Sequence, residues 1–354
     1  MSILGISNAF IRSDILPATG ASIASFEAKV GDAWLPVMRP TALEAMANPQ
    51  SGQMSSFNLV PWSNRIVGAA FDFQGKHYRL RANTPQGFAI HGDARERTWH
   101  VTNRKEQEVT CSLDTRAFPD FNYPFPFTAT VRYALAGRTL ITTFQLTNVG
   151  NTAMPAGWGF HPYFNRRLGA LLPDDAHLQF HAEGVYPPLP GMQAVNPPAA
   201  KMYQQAGDRS PMVDVPGDMD FSQPAAIGER DIDHCFGGWD GRASITYPRA
   251  GIRIDIECEP VLNHVIIYTP PGKPFFAVEP VTHANDAFNM LTHGATGSGA
   301  RVLQPGEQFT GTFLIHVVIQ QRRVRQSTLY RVAISKQAGA SDGALFHGQP
   351  HPDA

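Results

Sequence analysis

At 354 residues and 43% hydrophobic, the chain is long enough for one large domain or two ordinary ones, with apolar content for a substantial core. Its formal net charge of -1 offers no basic excess to follow a phosphate backbone, so nucleic acid is not an expected partner. Charged residues are only 17% while Gly (31) and Pro (29) are plentiful, which suits many short strands joined by turns rather than long surface helices.

Residues 1 to about 40 read as short strands, with Ile23 and Phe26 following a turn at Thr19-Gly20 and Trp34 to Met38 continuing the pattern. Thr41 to Asn48 reads as a short helix capped by Thr41, with Glu44 at capping-box spacing. Phe71 and Phe73, a turn at Gln74-Gly75, then Tyr78 and Leu80 make a hairpin pattern. In the middle of the chain Val131, Tyr133 and Leu135 alternate up to Ala136-Gly137, and Leu140, Thr142, Phe144 and Leu146 return on one face. Ile245 and Tyr247, the turn Pro248 to Gly251, then Ile252, Ile254, Ile256 and Cys258 repeat the device. A period of two with turn residues between marks antiparallel pairing with one buried face. The fold class expected is all-β, a large antiparallel sandwich over residues 1–320. Tyr186 to Pro198 reads as a proline-dense surface loop, and residues 321–354 as a partly disordered tail.

Several groups could carry chemistry. In PWSNRI, Asn64 and Arg65 precede the first hairpin; an arginine there can donate fixed hydrogen bonds to a polyol or anion, or pair with a carboxylate. His91 stands directly before Gly92, where backbone can approach a ligand or the histidine can be structural. GWGFHPYFN sets His161 at a strand end among aromatic residues, a site histidine or one bonded to backbone in the core. Asp233 and His234 fall together in DIDHCF. In FFAVEPVTHANDAFN an apolar run delivers Glu279 and meets Pro280, which cannot donate to a ladder, so Glu279 is expected at the strand's end. Tyr268 and Trp62 are candidates for an aromatic floor or for the core.

No metal and no cofactor are expected. His177 and His181 are four apart in a stretch with strand character, which separates them by about 13 Å. There is no HExxH, GxGxxG, Walker loop or GxSxG. Three cysteines without CxxC spacing suggest neither a disulfide framework nor a zinc ribbon. No apolar run approaches a membrane span and no secretory leader is evident, so a soluble cytoplasmic protein, monomer or homodimer, is the expectation.

The succession NRI, QGKHYRL, HG, HPYFN, DHCF and EPVTHANDAFN, from about residue 4 to 318, resembles the aldose 1-epimerases, or galactose mutarotases. The resemblance implies a mutarotase-like supersandwich that interconverts the α and β anomers of a free sugar without a cofactor. By that resemblance Glu279 matches the general base at the C1 hydroxyl and His161 the general acid at the ring oxygen. His91 matches the second histidine, which polarises that oxygen, while Arg65 and Asp233, with Asn64 and Tyr268 beside them, match sugar-holding groups. A carboxylate near 4.3 is ionised at neutral pH, and Glu279 beside His161 is expected to raise the imidazole above its usual 6.5. Asp93 replaces a second glycine after HG, and Val67-Gly68 an NG pair, which points to a divergent branch and leaves the sugar open. The alternatives are a hexose-6-phosphate mutarotase, with Arg95 and Arg97 as candidate phosphate ligands, and a non-catalytic sugar-binding or sensor protein.

Overall fold

In the computed structural model, residues 3–168, 175–188 and 210–320 are described. Two antiparallel sheets dominate. The nine-stranded sheet runs in space from His100–Lys105 through Glu108–Asp114, Phe127–Ala136, Thr139–Asn148, Gln308–Ile319, Ile252–Cys258, Arg242–Tyr247 and His177–Phe180 to Ala225–Ala226. The seven-stranded sheet runs from Gly184–Val185 through Asp233–Gly237, His264–Tyr268 and Phe275–Val281 to Gly159–Phe160 and Asn58–Leu59, with Tyr163–Asn165 also on Phe275–Val281.

The alternation seen in the sequence is the reason these sheets stack. Leu140, Thr142, Phe144 and Leu146 all lie buried on one face of Thr139–Asn148. Across the layer they meet the inner face of the smaller sheet, where Phe160 lies 4.6 Å from Phe313 and 6.0 Å from Phe144 between ring centroids. Phe276, Val278, Val265 and Ile267 belong to the same apolar cluster. Because side chains alternate, Glu279, Ala277 and Ile266 are turned to the opposite face of the smaller sheet, where Phe57, Tyr163 and Cys235 form a second, smaller cluster. The candidate site stands on that second face.

Pro280 does not end its strand. Phe275–Val281 continues past it, with Pro280 opposite Val265. The carbonyl oxygen of Pro280 faces Gly159, so its missing donor faces the side on which pairing is already interrupted at His161-Pro162. The pairing on that side stops one residue beyond Phe160, and Glu279 sits inside the sheet at 2% exposure rather than at a strand end. The helix near Thr41 also differs from expectation. It spans Leu43–Ala47 with Ala42 as N-cap and no side-chain cap bond, one residue too late for the Thr41–Glu44 box; the Thr41 hydroxyl instead meets the Met54 sulfur at 3.8 Å.

The described residues gather into one compact unit. The expected tail, 321–354, and residues 189–198 of the expected proline-dense loop lie outside the described residues. Cys111, Cys235 and Cys258 are free thiols. Among the described residues no helix is long and apolar enough to cross a membrane.

Candidate active site

Strand register brings the acid–base candidates together. Gly159 lies opposite Val281 and Tyr163 opposite Ala277, a single register held across the interruption, and it sets His161 opposite Glu279. His161 Nε2 lies 3.1 Å from Glu279 Oε1, with both side chains buried. The imidazole stacks on Phe57 at 4.6 Å and has Tyr163 at 4.4 Å. Each partner keeps one buried polar atom without a hydrogen bond, Nδ1 of His161 and Oε2 of Glu279. Nearly all buried polar atoms in proteins are hydrogen-bonded, so these two atoms are available to a further partner.

Burial sets the protonation of this pair, in the opposite sense to the expectation from sequence. Desolvation pushes the Glu279 carboxyl well above its usual range, and Asp233 adds to that. Desolvation, with Arg39 and Arg95 behind it, pushes His161 well below. A pair at hydrogen-bond distance could be an ion pair, but removing both groups from water favours the arrangement with no separated charge. The resting contact holds one proton between Oε1 and Nε2.

His91 arrives by a different route. Arg65–Ile66 pairs with Ala89–Ile90, which leaves Asn64 beside His91. The His91 N–H donates to the Asn64 carbonyl at 2.9 Å, and the Asn64 N–H donates to His91 Nδ1 at 3.1 Å. With Nδ1 accepting, and burial holding the ring well below its usual pKa, His91 is neutral and presents Nε2–H as a donor. Its ring stands edge-on to His161 at 5.3 Å. Asn64 (φ 49°) and His91 (φ 67°) both take left-handed backbone, as does Asp286 (φ 56°), and such strained positions gather at functional sites.

Gly92 explains the HG pair. Its φ is +69°, and a Cβ there would lie 1.9 Å from the Val60 carbonyl oxygen. Gly92→Ala is expected to cost roughly 3 kcal/mol from left-handed strain and backbone overlap. Urea unfolding reads this directly; an unchanged midpoint would contradict it.

The groups expected to hold the sugar are present around this centre. Arg65 Nη2 donates to Asp233 Oδ2 at 3.1 Å, and Nη1 donates to Asn64 Oδ1 at 2.9 Å. Asp233 stands opposite half-buried Tyr268, which stands opposite Ala277, on the face that carries Glu279. Trp62 does not belong here: it is 1% exposed, packs on Tyr123 in the core and donates to the Ala89 carbonyl. Arg97 does not either, since it is taken up by Asp93 and Asp120. Arg95 does approach, with its guanidinium 5.6 Å from the Phe57 ring.

Some contributors had no clear signal in the sequence. Phe57 stacks on His161, and Arg39 lies 3.8 Å over the Tyr163 ring. His283 ties the site segments together: Nε2 accepts from the Ser63 N–H at 2.9 Å and Nδ1–H donates to the Ala284 carbonyl at 2.7 Å. Gly157 leaves room for it, because a Cβ there would meet the ring at 1.8 Å. Asp286 Oδ1 accepts from the Val67 N–H at 2.9 Å, fastening the same two segments a second time.

Burial holds the His283 imidazole at about 4. A depressed folded-state pKa contributes stability that is complete above the unfolded value near 6.5 and is lost as pH falls toward 4. Protonation would set an Nε2–H against the Ser63 N–H. The loss is expected to reach on the order of 3 kcal/mol by pH 4. Wild type should therefore melt at progressively lower temperature from pH 6.5 to 4.5, with a shallower slope in His283→Gln; identical slopes would remove the role.

The sequence matches a family model described as aldose 1-epimerase over residues 5–196 and 199–316. Uncharacterized protein YphB of Escherichia coli (strain K12) is 26% identical over 290 residues, 80% of this chain and 89% of its own. Among solved structures, a putative aldose 1-epimerase from Escherichia coli K12 superposes with a TM-score of 0.73 at 25% identity, covering 90% of this chain and 99% of that one. A galactose mutarotase-like protein from Clostridium acetobutylicum gives a TM-score of 0.74 over 89% of this chain and 95% of its own; at 18% identity this likeness shows the fold alone.

Proposed function

The chain belongs to the aldose 1-epimerase family, and from that premise we propose that it interconverts the α and β anomers of an aldose by acid–base ring opening and closure. The observation that carries this reading is the buried His161–Glu279 contact of 3.1 Å with an unpartnered atom on each side.

A hemiacetal opens when one proton leaves O1 and one reaches O5. Glu279 takes the first and His161 gives the second, while the neutral His91 donates its Nε2–H toward the ring oxygen. The proton count on the pair does not change. With the closed sugar bound, the pair is carboxylate and imidazolium; with the open aldehyde bound, it is carboxylic acid and neutral imidazole. The second form is the one that burial favours, so the environment assists departure of the O1 proton. Rotation about C1–C2 and return of both protons closes the ring on the other face of the aldehyde. Arg65 and Asp233, held to each other and aimed by Asn64, with Tyr268 beside them, hold hydroxyls through fixed donors and acceptors.

The test is polarimetry, or saturation-transfer NMR, on freshly dissolved α-anomers of several aldoses. Acceleration above the spontaneous rate supports the reading. Absence of acceleration with neutral and acidic aldoses alike would remove it.

A further inference from the structure

One arginine beside the site has no carboxylate partner among the described residues. Arg65 is matched by Asp233, and Arg95 Nε lies 3.6 Å from Glu96 Oε1. Glu279 and His161 share one proton and are neutral as a pair. Arg39 remains. Its Nη2 donates to the carbonyls of Gly52 at 2.9 Å and Met54 at 2.6 Å, and its guanidinium lies 3.8 Å over Tyr163 and 4.5 Å from the Phe275 ring. Among the described residues no carboxylate forms an ion pair with it.

Two bonds occupy both hydrogens of Nη2 and leave the Nε and Nη1 donors for a ligand. The carbonyls and ring faces fix the guanidinium in place but do not cancel its charge, and a half-buried cation without an anion is a costly feature. It is also close to the chemistry: Tyr163, on which it lies, has its ring 4.4 Å from His161 and its phenol 3.5 Å from His161 Nε2. Arg65 and Asp233 form a neutral pair, whereas the Arg39 side offers one net positive charge. A polyol alone has nothing to match that asymmetry.

We propose that Arg39 makes this a site for an aldose bearing a single acidic group, such as the carboxylate of a uronate, with the anion held by Arg39 beside the acid–base pair. The inference rests on the mutarotase reading and narrows its substrate class. One net charge calls for a monoanion rather than a phosphate dianion.

The experiment compares anomerisation of glucuronate and galacturonate with glucose, galactose and glucose 6-phosphate, in wild type, Arg39→Gln and Arg39→Lys. For at least one uronate, wild-type kcat/KM is expected to exceed that of its neutral parent on the order of thirtyfold, the scale of one charge-assisted hydrogen bond. Arg39→Gln should collapse that ratio toward one, Arg39→Lys should keep part of it, and added salt should lower it. A strap that merely holds the Gly52–Met54 turn would shift stability and leave the ratio alone. Acceleration of neutral hexoses as strong as that of uronates would overturn the inference and leave the mutarotase standing. A preference for the 6-phosphate would overturn it too. Binding of uronate seen by saturation-transfer difference NMR and lost in Arg39→Gln, without acceleration of any sugar, would keep the acidic ligand and sink the catalytic reading. If Arg39→Gln does not fold, the wild-type ratio of uronate to neutral sugar decides alone.

Discussion

Glu279→Gln is expected to lower the anomerisation rate by about 10² to 10⁴ while leaving the fold intact. Glutamine fills the same volume and can still meet His161, so the loss isolates the base that takes the O1 proton. Its stability should be no lower than wild type, because a buried ionisable group is replaced by a neutral amide. The pH dependence gives a second readout. Burial raises the folded-state pKa of Glu279, so its contribution is complete below the unfolded value and is lost as pH rises through the folded one. Glutamine has no such loss, and the variant's melting temperature should gain on wild type as the solution is made alkaline. Polarimetry and thermal melts over pH 6 to 9 check both. Full activity in the variant would take the reaction away from this carboxylate.

The architecture was legible because alternation is a direct statement about a half-buried sheet. Leu140, Phe144 and Leu146 are buried in one row because strands turn successive side chains to opposite faces. The candidate site came from the family resemblance instead. NR, HG, HPYF, DHCF and EP lie at long sequence separations, and they converge through pairing that no local pattern displays. Glu279 shows the limit: from sequence, Pro280 reads as the end of a strand, but the strand runs on to Val281 and keeps its pairing with Val265 on the other side. Likewise the sense of the His161 shift depends on burial and on Arg39 and Arg95, which the neighbouring residue types alone do not reveal. Phe57, Arg39 and His283 were missed for the same reason, since a ring stack, an unpaired cation and a histidine tie between segments have no spacing. The HPYF aromatic run was the one hint toward the stack. Trp62 was the reverse case, an aromatic residue near a motif whose position is fixed by the core.

His161→Asn is expected to cost about 10² to 10⁴ in rate, and the double variant with Glu279→Gln should be little worse than the poorer single variant. The reason is that one proton serves both groups. Once either partner is gone, concerted transfer is gone, and removing the other takes away little more. The pH profiles of wild type and His161→Asn separate this from two independent contributions. In wild type the active state is the pair with one proton. It gains a second as pH falls through the depressed His161 step, and loses its only one as pH rises through the elevated Glu279 step, so activity should be flat through neutrality. The acid limb should fall below the 6.5 of a free imidazole. In His161→Asn only the base remains. Burial keeps Glu279 protonated beyond the usual carboxylate range, so residual activity should climb as pH rises toward and through that elevated value. Additive losses in the double variant, or an acid limb near 6.5 in wild type, would mean that the two side chains titrate separately and that the 3.1 Å contact is not the catalytic unit.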